Sequence, residues 1–192
     1  MRRTDEMSRS FAVERGADGI ATITFDVPTE PVNTLSEATA REFDALLSEL
    51  SSDGKVKAAV LISGKPDSFV AGADIKMLQA VATEQDAERL SREGQAGFAR
   101  LELMRFPVVA AIHGSCLGGG LEWALACAWR VVTDDPKTLL GFPEIQLGLI
   151  PGAGGTQRAP RLVGVQAALD LILTGKPVKA TRALKMGLVD EV

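Results

Sequence analysis

Short apolar runs recur along the chain and alternate with longer amphipathic stretches. Segments 11–14 and 20–25 are rich in β-branched and aromatic residues, which is typical of strands. Segments 58–63 and 107–112 are largely apolar and are bounded by turn-forming residues, as expected of buried strands. These four segments are the strands that the pattern predicts.

Helical spacing separates the predicted strands. Thr34 and Glu37 predict a capping box, because apolar residues then recur at the spacing of one helix face, at Phe43, Leu46, Leu47 and Leu50. Further helices are predicted from Thr83 to about residue 105, after the glycines at 118–120, and from about Thr156. Strand and helix thus alternate for at least three cycles, which favours an α/β fold with crossover connections.

Composition narrows the chemistry that such a fold can perform. The chain has 192 residues, 46% of them hydrophobic, which suits one globular domain with its own core. A formal charge of −4 argues against general nucleic-acid binding, and the apolar stretches are too interrupted for a membrane span. One histidine excludes a multi-histidine metal site, and the two cysteines are expected to be reduced thiols. Because tyrosine is also absent, acid–base chemistry must come mainly from Asp, Glu or Lys.

The stretch from His113 to Glu122 joins a predicted strand to a predicted helix through a run of three glycines. Glycines let a ligand approach the backbone, and N–H groups at a helix start favour negative charge. Tight packing of the helix against the strand explains the glycines equally well. Glu122 has apolar neighbours in sequence, so its pKa is expected to be raised, which suits a general acid or base.

A second carboxylate, Glu144, has a similar setting. It follows Phe142 and Pro143 and precedes an apolar run, and a loop at 151–155 then leads into the helix near Thr156. One such glutamate is more often a surface or capping residue than a catalyst. Two of them, each beside a glycine-rich turn, favour a paired-carboxylate site.

A third stretch, 67–76, carries the small residues Ala71, Gly72 and Ala73 after a predicted strand. These residues leave the backbone open to a ligand. The side chain of Asp74 is predicted to cap the helix that follows.

Three motifs together resemble the crotonase, or enoyl-CoA hydratase, superfamily. They are Phe-Val-Ala-Gly-Ala-Asp-Ile-Lys at 69–76, Ala-Ile-His-Gly-Ser-Cys-Leu-Gly-Gly-Gly-Leu-Glu at 111–122, and Pro-Glu-Ile-Gln-Leu-Gly-Leu-Ile-Pro-Gly-Ala-Gly-Gly-Thr-Gln-Arg at 143–158. Their order and spacing fit the family, and within it segments 133–144, 173–176 and 186–190 are most similar to the hydratase domain found in alpha subunits of fatty acid oxidation complexes. The resemblance implies an α/β crotonase-like spiral of repeated ββα units.

The resemblance also implies roles for individual residues. Glu122 would activate water for attack at C3, and Glu144 would exchange a proton at C2. The backbone N–H groups of Ala73 and Gly119 would form an oxyanion hole for the thioester oxygen. The residues that would line the path of coenzyme A are Asn33, Thr34, Leu35, Asp74, Ile75 and Lys76, the last as a phosphate contact. No metal is expected.

The activity implied is reversible hydration of 2-trans-enoyl-CoA to 3-hydroxyacyl-CoA in fatty acid β-oxidation. The substrate is an acyl-CoA thioester, and no separate cofactor is expected in this chain. Both hydratase carboxylates are present, which argues against the alternative of a 3-enoyl-CoA isomerase. A truncated acyl-CoA-binding or assembly module with little activity is a further alternative, because the chain ends soon after Asp190, where family hydratases continue into helices.

The remaining expectations concern domains and context. Residues 1–10 are predicted to be a flexible tail, and residues 11–192 a crotonase core that lacks the family's C-terminal helical segment. In the full-length form, the resemblance implies a homo-oligomer or a complex with a thiolase beta subunit, and NAD only for a following dehydrogenase domain. A cytoplasmic location is expected. Trp123 stands where smaller aliphatic residues are usual, and would either narrow the site or buttress it.

Overall fold

Two sheets organise the computed structural model, which describes residues 9–192. The strands are β1 (Phe11–Arg15), β2 (Ile20–Phe25), β3 (Ala58–Ser63), β4 (Ser68–Val70), β5 (Val108–Ile112), β6 (Ser115–Leu117), β7 (Trp129–Val132), β8 (Leu139–Gly141) and β9 (Val178–Lys179). The helices are α1 (Glu37–Ser52), α2 (Ile75–Gln79), α3 (Glu84–Glu102), α4 (Gly119–Ala126), α5 (Gly155–Val163), α6 (Val165–Thr174) and α7 (Ala180–Met186), with a 3-10 helix at Pro143–Leu147.

The two sheets share a repeated ββα unit. The larger sheet has the order β1-β2-β3-β5-β7 and is parallel except for β1, while the smaller has the order β4-β6-β8-β9 and is parallel except for β9. The pairs β3/β4, β5/β6 and β7/β8 each give one strand to each sheet and then lead into a helix. This arrangement confirms the predicted α/β fold with crossovers. The short strands of the smaller sheet were not predicted, because runs of three residues carry too little pattern.

The main core lies between the larger sheet and helices α1, α3 and α4. Alternate residues of β2, β3 and β5 are buried, as a half-buried strand requires. Trp123 on α4 is only 1% exposed, and its ring meets those of Phe25 and Phe43 edge-on at centroid distances of 5.4 and 4.6 Å. Such aromatic pairs contribute about 0.5–1.5 kcal/mol each beyond their buried area. Of the two alternatives for Trp123, the structure supports buttressing, since the ring packs into the core.

The start of α1 corrects the predicted capping box. The cap is Ser36, whose Oγ accepts a hydrogen bond from Thr39 N at 3.2 Å, while Thr39 Oγ1 accepts one from Ser36 N at 2.9 Å. The box falls two residues later than the Thr34–Glu37 prediction because Leu35 is still extended, its N–H donating to Gly72 O at 2.8 Å. At α3, by contrast, Thr83 is the N-cap as predicted.

The predicted tail at residues 1–10 lies for the most part outside the described residues. Within the described part, Ser10 is already buried, and its N–H donates to Glu42 Oε2 at 3.0 Å. From residue 9 onward, no helix is both long and apolar enough to cross a membrane.

The side chain of Asn33 joins three parts of the fold. It is fully buried, with Nδ2 donating to Phe25 O at 2.7 Å and to Ser63 Oγ at 2.9 Å. Its Oδ1 accepts a hydrogen bond from Val27 N at 2.8 Å. These polar side-chain atoms are bonded inside the protein, so only the backbone of Asn33 is left to line the path of coenzyme A; that the residue lines this path stays a prediction.

Replacing Asn33 with alanine is expected to lower the free energy of unfolding by about 2–4 kcal/mol, since several polar groups would lose their partner together. Urea unfolding followed by circular dichroism measures this change. Gln79→Ala is the matched control, because Gln79 is an exposed amide at the end of α2 and should change stability by no more than about 0.5 kcal/mol. Equal stabilities of the two variants would contradict the junction role of Asn33.

Candidate active site

Three loops meet at one edge of the smaller sheet. Strands β4, β6 and β8 are parallel neighbours, so their carboxyl ends lie side by side. The segments that leave these ends are 71–73, 118–119 and 142–144, and each contains a predicted site residue. Ligands of parallel α/β sheets commonly bind at the carboxyl ends of strands.

Segment 33–35 runs alongside the first of these loops. The N–H of Ala71 donates to Asn33 O, and the N–H of Asp74 donates to Leu35 O, both at 2.8 Å. The structure thus brings together the two stretches that were predicted to line one binding path.

Ala73 and Gly119 present neighbouring backbone N–H groups. A Cβ atom placed on Gly119 would lie 3.7 Å from the Ala73 nitrogen. Within residues 9–192, neither N–H has a hydrogen-bond partner; that of Gly119 is one of the unpaired donors of the first turn of α4. Two free donors side by side are suited to a carbonyl oxygen that gains negative charge.

The three glycines of this turn, at 118–120, have different surroundings in the structure. Gly118 has a φ of 52°, and a Cβ there would come within 3.0 Å of Glu144 Oε1. A Cβ on Gly120 would overlap the carbonyl oxygen of Val70 at the end of β4. The packing explanation therefore applies to Gly120, which allows the helix to approach the strand, while Gly118 gives room to Glu144 and Gly119 to Leu35; approach of a ligand to this backbone stays a prediction.

Glu122 is buried in the first turn of α4, as predicted, with 3% exposure. Its Oε1 accepts hydrogen bonds from Ala153 N at 2.8 Å and Gly155 N at 2.7 Å. Desolvation raises the pKa of Glu122, while these two hydrogen bonds and the nearby Arg158 act in the opposite direction. The result is a carboxylate that is dehydrated yet fixed in position.

Glu144 lies on the 3-10 helix that follows β8, and it is half-buried. Its pKa is raised to about 7, mainly by burial and in smaller part by the charge of Glu122. Its Oε2 is buried without any hydrogen-bond partner among the described residues. A carboxyl group with these properties can both release and accept a proton near neutral pH.

The other predicted binding residues flank this centre. Leu35 lies against Gly119, where a Cβ would meet Leu35 Cδ1 at 3.2 Å. Asp74 caps α2 as predicted, its Oδ1 accepting a hydrogen bond from Lys76 N at 2.7 Å. Ile75 and Lys76 are exposed, and Thr34 is half-buried. Lys76 makes no salt bridge with any residue of the described part of the chain.

The loop at 151–155 supplies contacts that the sequence did not predict. It leads into α5 at Gly155, close to the expected start. The hydrogen bonds that its N–H groups donate to Glu122 were not predicted. The glycines before the helix were the available signal, because a helix start binds anions.

The structure also describes the surroundings of the two cysteines and of the residue types that bind metals. Cys116 and Cys127 are free and buried, and burial raises the pKa of Cys127 to about 12. In the stretch that the structure describes, no group of three or more His, Cys, Asp or Glu side chains could hold a metal ion.

Comparison with known proteins shows where this arrangement recurs. The sequence profile described as enoyl-CoA hydratase/isomerase matches residues 15–192. The fatty acid oxidation complex subunit alpha of Shewanella amazonensis is 60% identical over 186 residues, and that of Shewanella oneidensis is 58% identical. Each match covers 97% of this chain but 26% of the relative, so the chain spans about a quarter of the length of these relatives.

Solved structures match over nearly the whole chain as well. The enoyl-CoA hydratase from Bacillus anthracis has a TM-score of 0.88 at 33% identity, covering 96% of this chain and 70% of that one. The enoyl-CoA hydratase from Thermoplasma volcanium has a TM-score of 0.89 at 29% identity, covering 99% and 73%. Because sequence and fold agree over almost all of its length, the chain belongs to the enoyl-CoA hydratase/isomerase family.

Proposed function

We propose that this chain is a hydratase domain that adds water reversibly to 2-trans-enoyl-CoA to give 3-hydroxyacyl-CoA. The observation that carries the proposal is the pair of carboxylates beside two free N–H groups. Glu122 and Glu144 are close enough for the charge of one to raise the pKa of the other. The free donors of Ala73 and Gly119 lie at the same sheet edge.

The N–H groups of Ala73 and Gly119 would bind the thioester oxygen of the substrate. Polarisation of that carbonyl draws electrons from the C2=C3 bond and makes C3 electrophilic. As water adds to C3, negative charge accumulates on the thioester oxygen as an enolate. Preorganised donors aimed at such an oxygen typically account for about a hundredfold or more in rate each.

Glu122 would act as the general base. The water oxygen bonds to C3, one water proton passes to the Glu122 carboxylate, and the electron pair of the double bond moves toward C2 and the thioester oxygen. The bonds from Ala153 and Gly155 occupy Oε1. Oε2 makes no hydrogen bond to another described residue, so it is the oxygen available to water.

Glu144 would then deliver a proton to C2 of the enolate. A pKa of about 7 suits this role, because the protonated form is well populated at neutral pH. Glu122 then releases its proton to solvent, and Glu144 takes up a proton from solvent. Both carboxyl groups return to their starting states, so the overall reaction adds one water molecule and consumes nothing else.

Coenzyme A would run along the paired segments 33–35 and 71–76. The side chain of Asn33 is excluded from this path by its burial, whereas exposed Lys76 is free to contact a phosphate. A role in fatty acid β-oxidation follows from the similarity to the alpha subunits. The thiolase beta subunit, a homo-oligomer, NAD in a further domain and a cytoplasmic location stay predictions of the same resemblance.

The first test replaces each carboxylate by its amide. Glu122→Gln and Glu144→Gln are each expected to lower the hydration rate of a 2-trans-enoyl-CoA by about a hundredfold or more, because each removes a proton acceptor or donor. The loss of enoyl absorbance measures the rate, and calorimetry with a saturated acyl-CoA measures binding. Glu30→Gln, at an exposed position, is the control.

Unchanged hydration by both amide variants would contradict the proposal. Tight thioester binding by a wild-type protein that does not hydrate would instead favour the binding or assembly module. Conversion of a 3-enoyl-CoA to a 2-enoyl-CoA that survives Glu122→Gln but is lost in Glu144→Gln would favour an isomerase, because this shift removes a proton from C2 and adds no water.

A second test removes one oxyanion donor. Gly119 is the first residue of α4, a position where proline is tolerated because its nitrogen has no helical partner. Gly119→Pro is expected to reduce hydration by about a hundredfold with the fold retained. Gly119→Ala keeps the N–H and is the matched control, since the tightest contact of its methyl group would be with the movable end of Leu35 at 3.2 Å, and the backbone atoms near it lie at 3.7 Å or more. A proline variant as active as the alanine variant would rule out this donor.

A third test uses the raised pKa of Glu144. The folded protein holds this proton up to about pH 7, whereas an exposed glutamate in the unfolded chain releases it near its ordinary value of 4.5. Between these pH values the folded state binds more protons, so the stability contributed by this group is complete below 4.5 and is lost as the pH rises toward 7.

Glu144→Gln should therefore gain stability relative to wild type by ~1–2 kcal/mol between pH 5 and pH 8, less than the full shift implies because partial exposure screens the charge. Urea unfolding at each pH measures the difference, with Glu30→Gln as the control. A constant difference across this range would show that Glu144 ionises normally.

A further inference from the structure

We propose that Arg158, held by Glu102, is a positioning residue for Glu122: it fixes the loop whose N–H groups bind the carboxylate and presents a positive charge to it. The inference rests on the proposed role of Glu122 as the base. Arg158 would touch neither substrate nor water, and would act only through the loop and through its charge.

The guanidinium of Arg158 is fixed on two sides. Its Nε and Nη2 donate to Glu102 Oε1 and Oε2 at 2.9 and 2.8 Å, and its Nη1 donates to Ala153 O at 3.0 Å. The side chain is only 13% exposed. A bidentate pair of this kind sets the plane of the guanidinium as well as its position.

Ala153 transmits this constraint to Glu122. Its carbonyl accepts the bond from Arg158, while its N–H donates to Glu122 Oε1 at 2.8 Å. A displaced Ala153 would therefore disturb one of the two hydrogen bonds that hold the carboxylate.

The two following glycines show how closely the loop is enclosed. A Cβ on Gly154 would overlap Nη1 of Arg158, and a Cβ on Gly155 would come within 3.0 Å of Glu122 Oε1. The loop is thus packed between the guanidinium of Arg158 on one side and the carboxylate of Glu122 on the other. Only residues without a side chain allow both to approach this closely.

Helix α3 anchors the arrangement from outside. Glu102 is its last residue, and Gln95 Nε2 donates to Gly152 O at 2.8 Å. A Cβ on Gly94 would touch that of Ala153 at 3.1 Å. The loop that binds Glu122 therefore depends on residues about sixty positions earlier in the chain.

The charges around Glu122 support the same role. Arg158 on α5 is the positive group that faces it, while Glu144 on the 3-10 helix and Glu102 on α3 are the negative ones. Arg158 opposes the burial that raises the pKa of Glu122. Glu102, which is paired with Arg158, carries the opposite charge. Loss of Arg158 should thus raise the pKa of Glu122 further and leave less of the carboxylate form that a base requires.

The test compares Arg158→Gln with Arg158→Lys and Glu102→Gln, and uses Arg161→Gln as the matched control. Arg161 is an exposed arginine on the same helix, and among residues 9–192 its guanidinium bonds only to Gln157. Two quantities are measured: the pH profile of kcat and KM for hydration, and the pKa of Glu122 by carbon-13 NMR of its side-chain carboxyl. The Glu122→Gln spectrum assigns the resonance.

Arg158→Gln is expected to lower kcat at neutral pH about tenfold with KM nearly unchanged, and to move the acid limb of the profile and the Glu122 titration upward by about one pH unit. Arg158→Lys should return the titration close to that of wild type while recovering kcat only in part, because an ammonium cannot reproduce the planar bidentate contact. Glu102→Gln should lower kcat with a smaller change in the titration.

An Arg158→Gln protein with the wild-type pH profile and the wild-type titration would overturn the proposal. If that variant does not fold, an Arg158→Lys protein and a Glu102→Gln protein that both keep the wild-type kcat would overturn it. A wild-type protein without hydratase activity would contradict the proposed function. The NMR titration of Glu122 needs no turnover, so it would still test the role of Arg158 in that case.

Discussion

The burial of the Glu122 carboxylate is the constraint around which the site is organised. A charged group removed from water is costly unless hydrogen bonds replace its hydration. Here Ala153 and Gly155 provide two N–H donors, both to the same oxygen. Because of this requirement, the loop before α5 lies against α4. Residue 155 must be glycine, because a side chain there would clash with the carboxylate.

The smaller sheet explains why the other groups converge on the same place. Three parallel strands end side by side, and each contributes one part: the Ala73 N–H, the Gly119 N–H and the Glu144 carboxyl. The larger sheet and the aromatic cluster around Trp123 hold α4 from behind. Reactive groups thus sit on loops, while their positions are set by the packing of regular elements.

Local pattern was enough to predict much of this. The strands 20–25 and 58–63, the Thr83 cap and the apolar surroundings of Glu122 and Glu144 follow from neighbours within a few residues. The two backbone N–H groups were expected from motif resemblance; in the structure they are neighbours, and neither has a hydrogen-bond partner in the part of the chain that is described.

What the sequence could not predict depends on partners far away in the chain. Leu35 stays extended because it pairs with Gly72, so the cap of α1 shifts to Ser36. Asn33 is a polar residue in a segment that was predicted to bind, but its side chain is hydrogen-bonded to groups at the ends of β2 and β3. The contact of Arg158 with Glu102 spans 56 positions, and no local pattern predicts it.

Hydration of a 2-trans-enoyl-CoA in water enriched in deuterium and oxygen-18 tests the two-carboxylate arrangement most directly. Mass spectrometry should find the heavy oxygen at C3 and one deuterium at C2 of the 3-hydroxyacyl-CoA that the wild type forms, and should find this product forming about a hundredfold more slowly with Glu122→Gln and with Glu144→Gln. Labelled product formed at the wild-type rate by both variants would contradict the assignment of these two residues.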